Sequence, residues 1–276
     1  MHAWVSDGYT KESVVYDKVR PSYPDAALQW IVEKVKLCHP DPSPTILDLA
    51  AGTGKFTRCL LNHLPKDVKL IAIEPVDNMR KILQDHFSDN PEIQILPGTA
   101  QKTGLESKSI DIITIAQAFH WFANQETLDE LLRILKPNGY LILIWNSWQK
   151  DIPWIDQIRA LTSPLSAQVP QYSTGEWKKI FSVAENHIGV FVEETGFTCD
   201  CPMDNHTPSR IWDQLLSRSW VAVLSEKEKE ELKLKVWEIL RNHNQDFQDV
   251  QDMDTSTKTT PFPHITKIFA YKPLFK

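Results

Sequence analysis

Four cysteines occur in 276 residues, Cys38, Cys59, Cys199 and Cys201, and no two of them form a C-x-x-C pair. That spacing excludes the usual redox and zinc pairs and gives no disulfide framework. Cys199 and Cys201 are spaced as same-face neighbours on a strand and read as small apolar fillers. The nine histidines include no H-x-x-x-H pair, so no dedicated metal site is expected. Positive charge is scarce as well. Thirty Lys and Arg against 36 Asp and Glu leave a net charge of −6, which argues against nucleic acid or an anionic membrane as partner. The longest apolar run, "YLILIW" at Tyr140 to Trp145, is far too short to span a bilayer. The first residues, "MHAWVSDGYTKESVVYDKVRPSYP", carry charges where a signal peptide needs an apolar core, so a soluble, cytoplasmic protein is expected.

What is present is an alternation. The β-rich runs are "TILDLA" (Thr45 to Ala50), "KLIAIE" (Lys69 to Glu74), "EIQILP" (Glu92 to Pro97), "IDIITIA" (Ile110 to Ala116) and "YLILIW". Between them lie the helical stretches "KFTRCLLNHL", "DNMRKILQDHF" and "QETLDELLRILKP", the last stopped at Pro137-Asn138-Gly139. Strands apolar on both faces, alternating with helices, predict an α/β fold with a doubly wound, mostly parallel sheet. After Trp145 the regularity fades into short helices and loops rich in Pro, Ser and Trp. A strand near Phe197, a helix from Pro208, a helix begun by the capping box Ser225/Glu228 and a final strand from His264 follow. The chain reads as a single domain. Its predicted parts are an N-terminal lid and first helix (1–43), a cofactor-binding core (44–146), a cap insertion (147–196), and C-terminal strands and helices (197–276).

The first strand runs into "ILDLAAGTGKFT", Ile46 to Thr57, a small-residue turn that opens a helix. Such a turn lets a ligand approach backbone closely. A dinucleotide would need G-x-G-x-x-G, but the corresponding positions are Ala50, Gly52 and Lys55, and the third glycine is missing. S-adenosylmethionine carries no pyrophosphate, and its ribose hydroxyls seek a carboxylate at the end of the second strand, where Glu74 stands. By the switch-point rule for open α/β sheets, Ala50 to Gly54, Glu74, Thr99 to Gln101 and Gln117 to Trp121 should surround one crevice.

These residues carry a resemblance. "DLAAGTG", "AIEPVDNM", "GTAQKTGLESKSID", "AQAFHWF" and "YDKVRPSYP", in that arrangement, resemble the class I S-adenosylmethionine-dependent methyltransferases. Within them the chain is similar to the small-molecule branch that includes trans-aconitate methyltransferases and related fungal and plant enzymes, with a type 11 methyltransferase domain. The resemblance implies a seven-stranded sheet with an aromatic-rich helical cap, S-adenosyl-L-methionine as cofactor and S-adenosyl-L-homocysteine as product. It also implies cofactor contacts from Asp48, Ala50, Ala51, Gly52, Thr53 and Gly54, from Glu74 and Pro75, from Met79 against the adenine, from Thr99, Ala100 and Gln101, and from Gln117 and Ala118. Thr99 stands where the family commonly has an aspartate.

Methyl transfer is mostly a matter of aligning nucleophile, methyl and sulfur with water excluded; a base is needed only if the nucleophile arrives protonated. His120 reads as a catalytic base, as a donor to substrate oxygen, or as a structural histidine. Trp121 is a pocket wall or plain packing, and Arg20 pairs with a carboxylate of cofactor or substrate or forms a surface ion pair. Tyr16 and Tyr23 are candidates for closing a lid over substrate, and Trp148, Tyr172 and Trp220 for lining the pocket. No Asn/Asp-Pro-Pro-aromatic tetrad follows the fourth strand, which argues against a nucleobase amine, and no carboxylate cluster suggests Mg²⁺. The expected activity is O-methylation of a small carboxylate or hydroxyl compound by a monomer or homodimer. A non-catalytic S-adenosylmethionine-binding protein is the alternative, followed by N- or S-methylation; a nicotinamide dehydrogenase is more distant.

Overall fold

A computed structural model describes residues 19–38, 43–183, 189–201 and 204–275. Tyr16 lies outside the described residues. The elements in chain order are α1 (Asp25–Cys38), β1 (Thr45–Leu49), α2 (Lys55–Leu61), β2 (Lys69–Ile73), α3 (Asp77–His86), β3 (Ile93–Leu96), β4 (Ile110–Ala116), α4 (Gln125–Ile134), β5 (Leu135–Trp148), α5 (Pro153–Thr162), α6 (Lys179–Val183), β6 (Gly189–Glu193), β7 (Phe197–Asp200), β8 (Asn205–His206), α7 (Pro208–Leu216), α8 (Ser219–Ala222), α9 (Glu226–His243), β9 (Thr260–Pro261) and β10 (His264–Phe275). They fall into two compact units. A sheet unit comprises the described residues of 22–146, 171–199 and 266–275, and a helical unit those of 19–21, 147–170 and 200–265.

The sheet runs β3-β2-β1-β4-β5-β10-β6, with β7 paired to β10 off that path. Strands β1 to β5 pair in parallel, and β10 runs antiparallel to β6. The alternation of side chains along each strand builds two cores. Ile46, Leu70, Ala72, Ile112, Ile142 and Ile144 pack with α1, α2 and Leu83 of α3. Their neighbours Leu47, Leu49, Ile73, Ile113, Ile115, Leu141 and Leu143 pack with Leu128, Leu131 and Leu132 of α4. Helices on both faces are what the runs of Ile and Leu predict. β1 lies between β2 and β4, so the chain order reverses there, the place where open α/β sheets take ligands beyond the strand ends.

The predicted stop at Pro137-Asn138-Gly139 acts differently from the expectation. Helix α4 ends at Ile134 and β5 begins at Leu135. Ile110 pairs with Leu135 while Ile112 pairs with Tyr140, so the Pro-Asn-Gly segment is a bulge inside β5. Proline and glycine are tolerated there because a bulge releases the ladder hydrogen bond.

The cap also divides differently. Residues 171–183 and 189–199 group with the sheet, and 147–170 group with 200–265. The reason is aromatic packing: Trp177, Phe181 and Phe191 join the core formed with Phe119, Trp145 and Tyr271. In the helical unit α9 packs against α5 and α7, with Trp148 and Trp154 each 5.3 Å from the ring of Phe262. The predicted capping box forms: Ser225 and Glu228 satisfy one another's backbone N–H groups. No helix among the described residues is long and apolar enough to cross a membrane.

The bulge yields a test. A Cβ on Gly139 would lie 2.6 Å from the Asp111 carbonyl oxygen and 2.8 Å from Leu135. Gly139→Ala should therefore cost about 1–3 kcal/mol in denaturant unfolding, with no change in secondary structure content by circular dichroism.

Candidate active site

Three residues of the turn after β1 adopt the left-handed backbone conformation: Ala50 (φ 60°), Gly52 (φ 59°) and Gly54 (φ 85°). The two glycines serve different ends. A Cβ on Gly54 would sit 2.5 Å from Leu83 Cδ1 and 3.0 Å from Phe87, so this glycine lets α3 pack on the start of α2. A Cβ on Gly52 would meet nothing within 4 Å, so the space it faces is open. Ala50 takes the same conformation with a methyl group, at a strain of about 1–2 kcal/mol.

Glu74 anchors this turn. One carboxylate oxygen accepts the Gly52 N–H at 2.8 Å, and the other accepts the Val76 N–H at 2.9 Å. Arg80 reinforces the end of β2 by donating to the Glu74 carbonyl at 2.9 Å. Burial raises the Glu74 pKa, against the pull of the two N–H groups and Arg80. Two of the four acceptor positions of the carboxylate are filled, which leaves acceptor capacity for a ligand hydroxyl.

Asp48 is sealed beneath the turn at 0% exposure, and its Oδ2 accepts the Thr57 hydroxyl at 2.5 Å. This corrects the expectation of a direct cofactor contact: the side chain ties β1 to α2 instead. Burial, together with the nearby Glu74, pushes its pKa up to about 7, against the Thr57 hydrogen bond. Thr53 is buried, Ala51 and Pro75 are half-buried at the turn and at the end of β2, and Met79 is buried at 7% exposure on α3.

Thr99 and Lys102 exchange backbone hydrogen bonds at 3.1 and 3.2 Å, closing a tight turn around Ala100 and Gln101. That loop is fastened to α4 by a group of residues absent from the expected set. Glu130 accepts from Thr103 N and Oγ1 at 2.8 and 2.5 Å, and Arg133 pairs with Glu130 while donating to the Leu105 carbonyl. A Glu and Arg three apart on a helix look like an ordinary surface pair, so the sequence offered no signal for this role.

At the end of β4, Gln117 is also left-handed (φ 61°). Its N–H donates to Ile144 at 2.9 Å, and its side chain donates to the Asn146 carbonyl at 3.1 Å. A non-glycine residue held this way stores of the order of 1–3 kcal/mol of strain, which the two bonds offset. Half-buried Ala118 follows, and then a 3₁₀ turn, Phe119–Trp121, which presents His120 and Trp121. His120 Nδ1 accepts the indole N–H of Trp145 at 3.3 Å. The residue is half-buried, but its imidazole ring lies 5.4 Å from Trp121 and 6.4 Å from Trp145, and burial pushes its pKa down to about 3. Half-buried Tyr172 stacks on Trp145 at 4.7 Å.

The other candidate ligand contacts lie in the core and in the helical unit. Tyr23 is a core residue, edge-on to Phe56 at 4.9 Å. Arg20, Trp148 and Trp220 belong to the helical unit. There Arg20 donates to the Ser217 carbonyl at 3.1 Å, and the Arg218 guanidinium lies 4.5 Å from the Trp148 ring and 5.9 Å from that of Trp220. No group of His, Cys, Asp and Glu among the described residues is placed to hold a metal ion.

With this geometry in place, the relatives can be read. Residues 47–143 match the family model described as a methyltransferase domain. An uncharacterized methyltransferase-like protein of Schizosaccharomyces pombe is 35% identical over 166 residues, 60% of this chain and 62% of the relative. Residues 47–143 therefore carry a methyltransferase domain, and the fold is that of the class I methyltransferases. A malonyl-[acyl-carrier protein] O-methyltransferase of Methylococcus capsulatus is 31% identical over half of each chain. The solved structure of a provisionally named type II methyltransferase from Anaeromyxobacter dehalogenans shares the fold, with a TM-score of 0.62 at 19% identity over 93% of this chain and 97% of that one. The chain spans about three fifths of its fission-yeast relative and half of the Methylococcus one.

The cofactor of the class I methyltransferases is S-adenosylmethionine, and the turn after β1 fits it. Open space faces Gly52, and Glu74 has acceptor capacity beside it. Gly52→Ala should weaken S-adenosylmethionine binding at least tenfold by calorimetry, because its methyl enters that space. Gly54→Ala should instead lower the melting temperature through its clash with Leu83, so the two lesions separate. Glu74→Ala should weaken binding by about 1.5–3 kcal/mol and loosen the turn, because the Gly52 N–H loses its acceptor.

Asp48 gives a pH test. Its folded pKa lies above the unfolded value of 3.8, so stability falls as pH rises from about 4 to 7 and is constant above that. Asp48→Asn keeps an acceptor for Thr57 and does not titrate. Its stability relative to the parent should increase across that window in urea unfolding at pH 5 and pH 8.

Proposed function

We propose that the chain is an S-adenosylmethionine-dependent methyltransferase that methylates an oxygen of a small molecule, a carboxylate or a hydroxyl. The observation that carries this reading is the turn itself: a left-handed Gly52 facing open space, with its N–H held by the buried carboxylate of Glu74. A packing corner would have filled that space, as Leu83 and Phe87 fill the space at Gly54. The O-methyltransferase names of two relatives, at 31% and 27% identity, favour oxygen as the acceptor.

Bound at the turn, S-adenosylmethionine supplies an electrophilic methyl group whose departure leaves a neutral thioether, so the protein has no leaving group to protonate. The chain's own residues bind and orient. Gly52 and the rest of the turn would hold the cofactor, and Glu74 would accept from its ribose hydroxyls. His120, Trp121 and Tyr172 offer an imidazole and two aromatic surfaces to the acceptor molecule. Water exclusion by these rings strengthens every polar contact made inside them.

Incubation with labelled S-adenosylmethionine and a panel of carboxylic acids, alcohols, phenols and thiols tests the reading. S-adenosylhomocysteine should be released with an oxygen acceptor. Binding of S-adenosylmethionine with no turnover on any acceptor class would favour a binding protein that keeps the fold.

A further inference from the structure

Trp145 lies on β5 with 1% exposure, and the sequence marks it only as the end of an apolar run. Its ring cannot turn freely. It stacks on Tyr172 at 4.7 Å, lies 4.6 Å from Trp177 and meets the edge of Phe269 at 5.9 Å. The polar atom of this clamped ring is aimed at one place, since Nε1 donates to His120 Nδ1 at 3.3 Å.

An indole N–H donates and never accepts. The nitrogen it faces must therefore present a lone pair, and the single proton of a neutral imidazole must reside on Nε2. That Nε2 has no hydrogen-bond partner among the described residues. Burial alone accounts for the low basicity of the ring; no acid or base on the described elements around it contributes. The ring is thus neutral throughout the physiological range, and its one lone pair is occupied by Trp145.

We propose that Trp145 is a positioning residue that holds His120 as a fixed Nε2–H donor, so that His120 cannot serve as a base and the acceptor molecule is a carboxylate. The inference rests on the methyltransferase reading above and narrows its substrate class. A hydroxyl nucleophile would have to lose a proton, and Nε2, already protonated, cannot take it. A carboxylate needs no base. One of its oxygens bonds to the methyl carbon as the carbon–sulfur bond breaks with its electron pair left on sulfur. A carboxylate and a sulfonium become a neutral ester and a neutral thioether, and no proton is released. The Nε2–H donates to the other carboxylate oxygen and orients it.

The test has a spectroscopic arm and a kinetic arm. Nitrogen-15 spectra of His120 in the full-length protein should show one neutral tautomer, protonated at Nε2, from pH 5 to pH 8. In Trp145→Phe, which removes the N–H donor and some ring volume but keeps an aromatic side chain, both neutral tautomers should appear. A parent His120 that titrates near pH 6.5, or that carries its proton on Nδ1, overturns the proposal even if methyl transfer is never detected. In the kinetic arm, carboxylic acids should be methylated with a flat kcat profile over pH 6 to 8, and structurally matched alcohols should not be. His120→Ala should raise KM for the acid by about 10- to 100-fold, whereas His120→Gln, which keeps an N–H donor, should recover most of that loss. Turnover of alcohols with a rate rising through pH 6.5 overturns the proposal while leaving the methyltransferase reading intact. Absence of turnover on every acceptor, with the spectra as expected, overturns that reading and with it the assignment of the substrate class.

Discussion

The hydrogen bond from the Gly52 N–H to the Glu74 carboxylate, 2.8 Å long and partly buried, joins the turn after β1 to the end of the neighbouring strand β2. Much of the site depends on it. Without an acceptor the Gly52 amide would be an orphan in a turn whose backbone is already left-handed at three alternate positions. With it, the turn is held open on the side of Gly52 and closed on the side of Gly54. The same carboxylate caps Val76 at the entry to α3, so a single side chain sets both the ligand-facing loop and the start of the following helix.

Around that anchor the protein repeats one device, a polar side chain that fixes a loop by accepting or donating to backbone. Glu130 and Arg133 hold the loop of Thr99 to Leu105, Gln117 holds the end of β4 to Asn146, and Asn146 in turn donates to the Ser22 carbonyl and accepts from Thr266. Four of these five bonds are partly buried, where a hydrogen bond is strong and a missing partner costly, and all five join residues far apart in sequence. Loops that carry a site on rigid strands need such ties, because their own packing area is small. Asp48 is the extreme case. It was expected at the ligand and is found as a buried carboxyl whose hydroxyl partner on α2 secures the strand beneath the turn.

The aromatic residues show where pattern reading reaches its limit. Tryptophan is dense after residue 120, and a single aromatic cap was the natural expectation. In the structure they divide. Trp145 and Trp177 enter the core of the sheet unit beside Phe119 and Tyr271, and Trp148, Trp154 and Trp212 build that of the helical unit. Residues 145 and 148 are three apart on one strand, a spacing that turns them to opposite faces. Large rings pack wherever space of their size is left, and the spacing of two residues does not record what else packs on each face.

Legible in the chain alone were the alternation of strands and helices, the parallel sheet, the small-residue turn and the acidic residue at the end of β2. All of these rest on local periodicity, small residues and short-range spacing, which a linear chain displays directly. The capping box at Ser225 was legible for the same reason. Only the tertiary structure decided that Pro137 to Gly139 is a bulge rather than a helix end, because a bulge exists only against a neighbouring strand. It alone decided that Tyr23 belongs to the core and that Asp48 is sealed. It alone decided that the indole of Trp145 fills the lone pair of His120, 25 residues away. The protonation state of an imidazole depends on the group across from it and on the water removed around it. Both are set by folding, and neither is written in the order of residues.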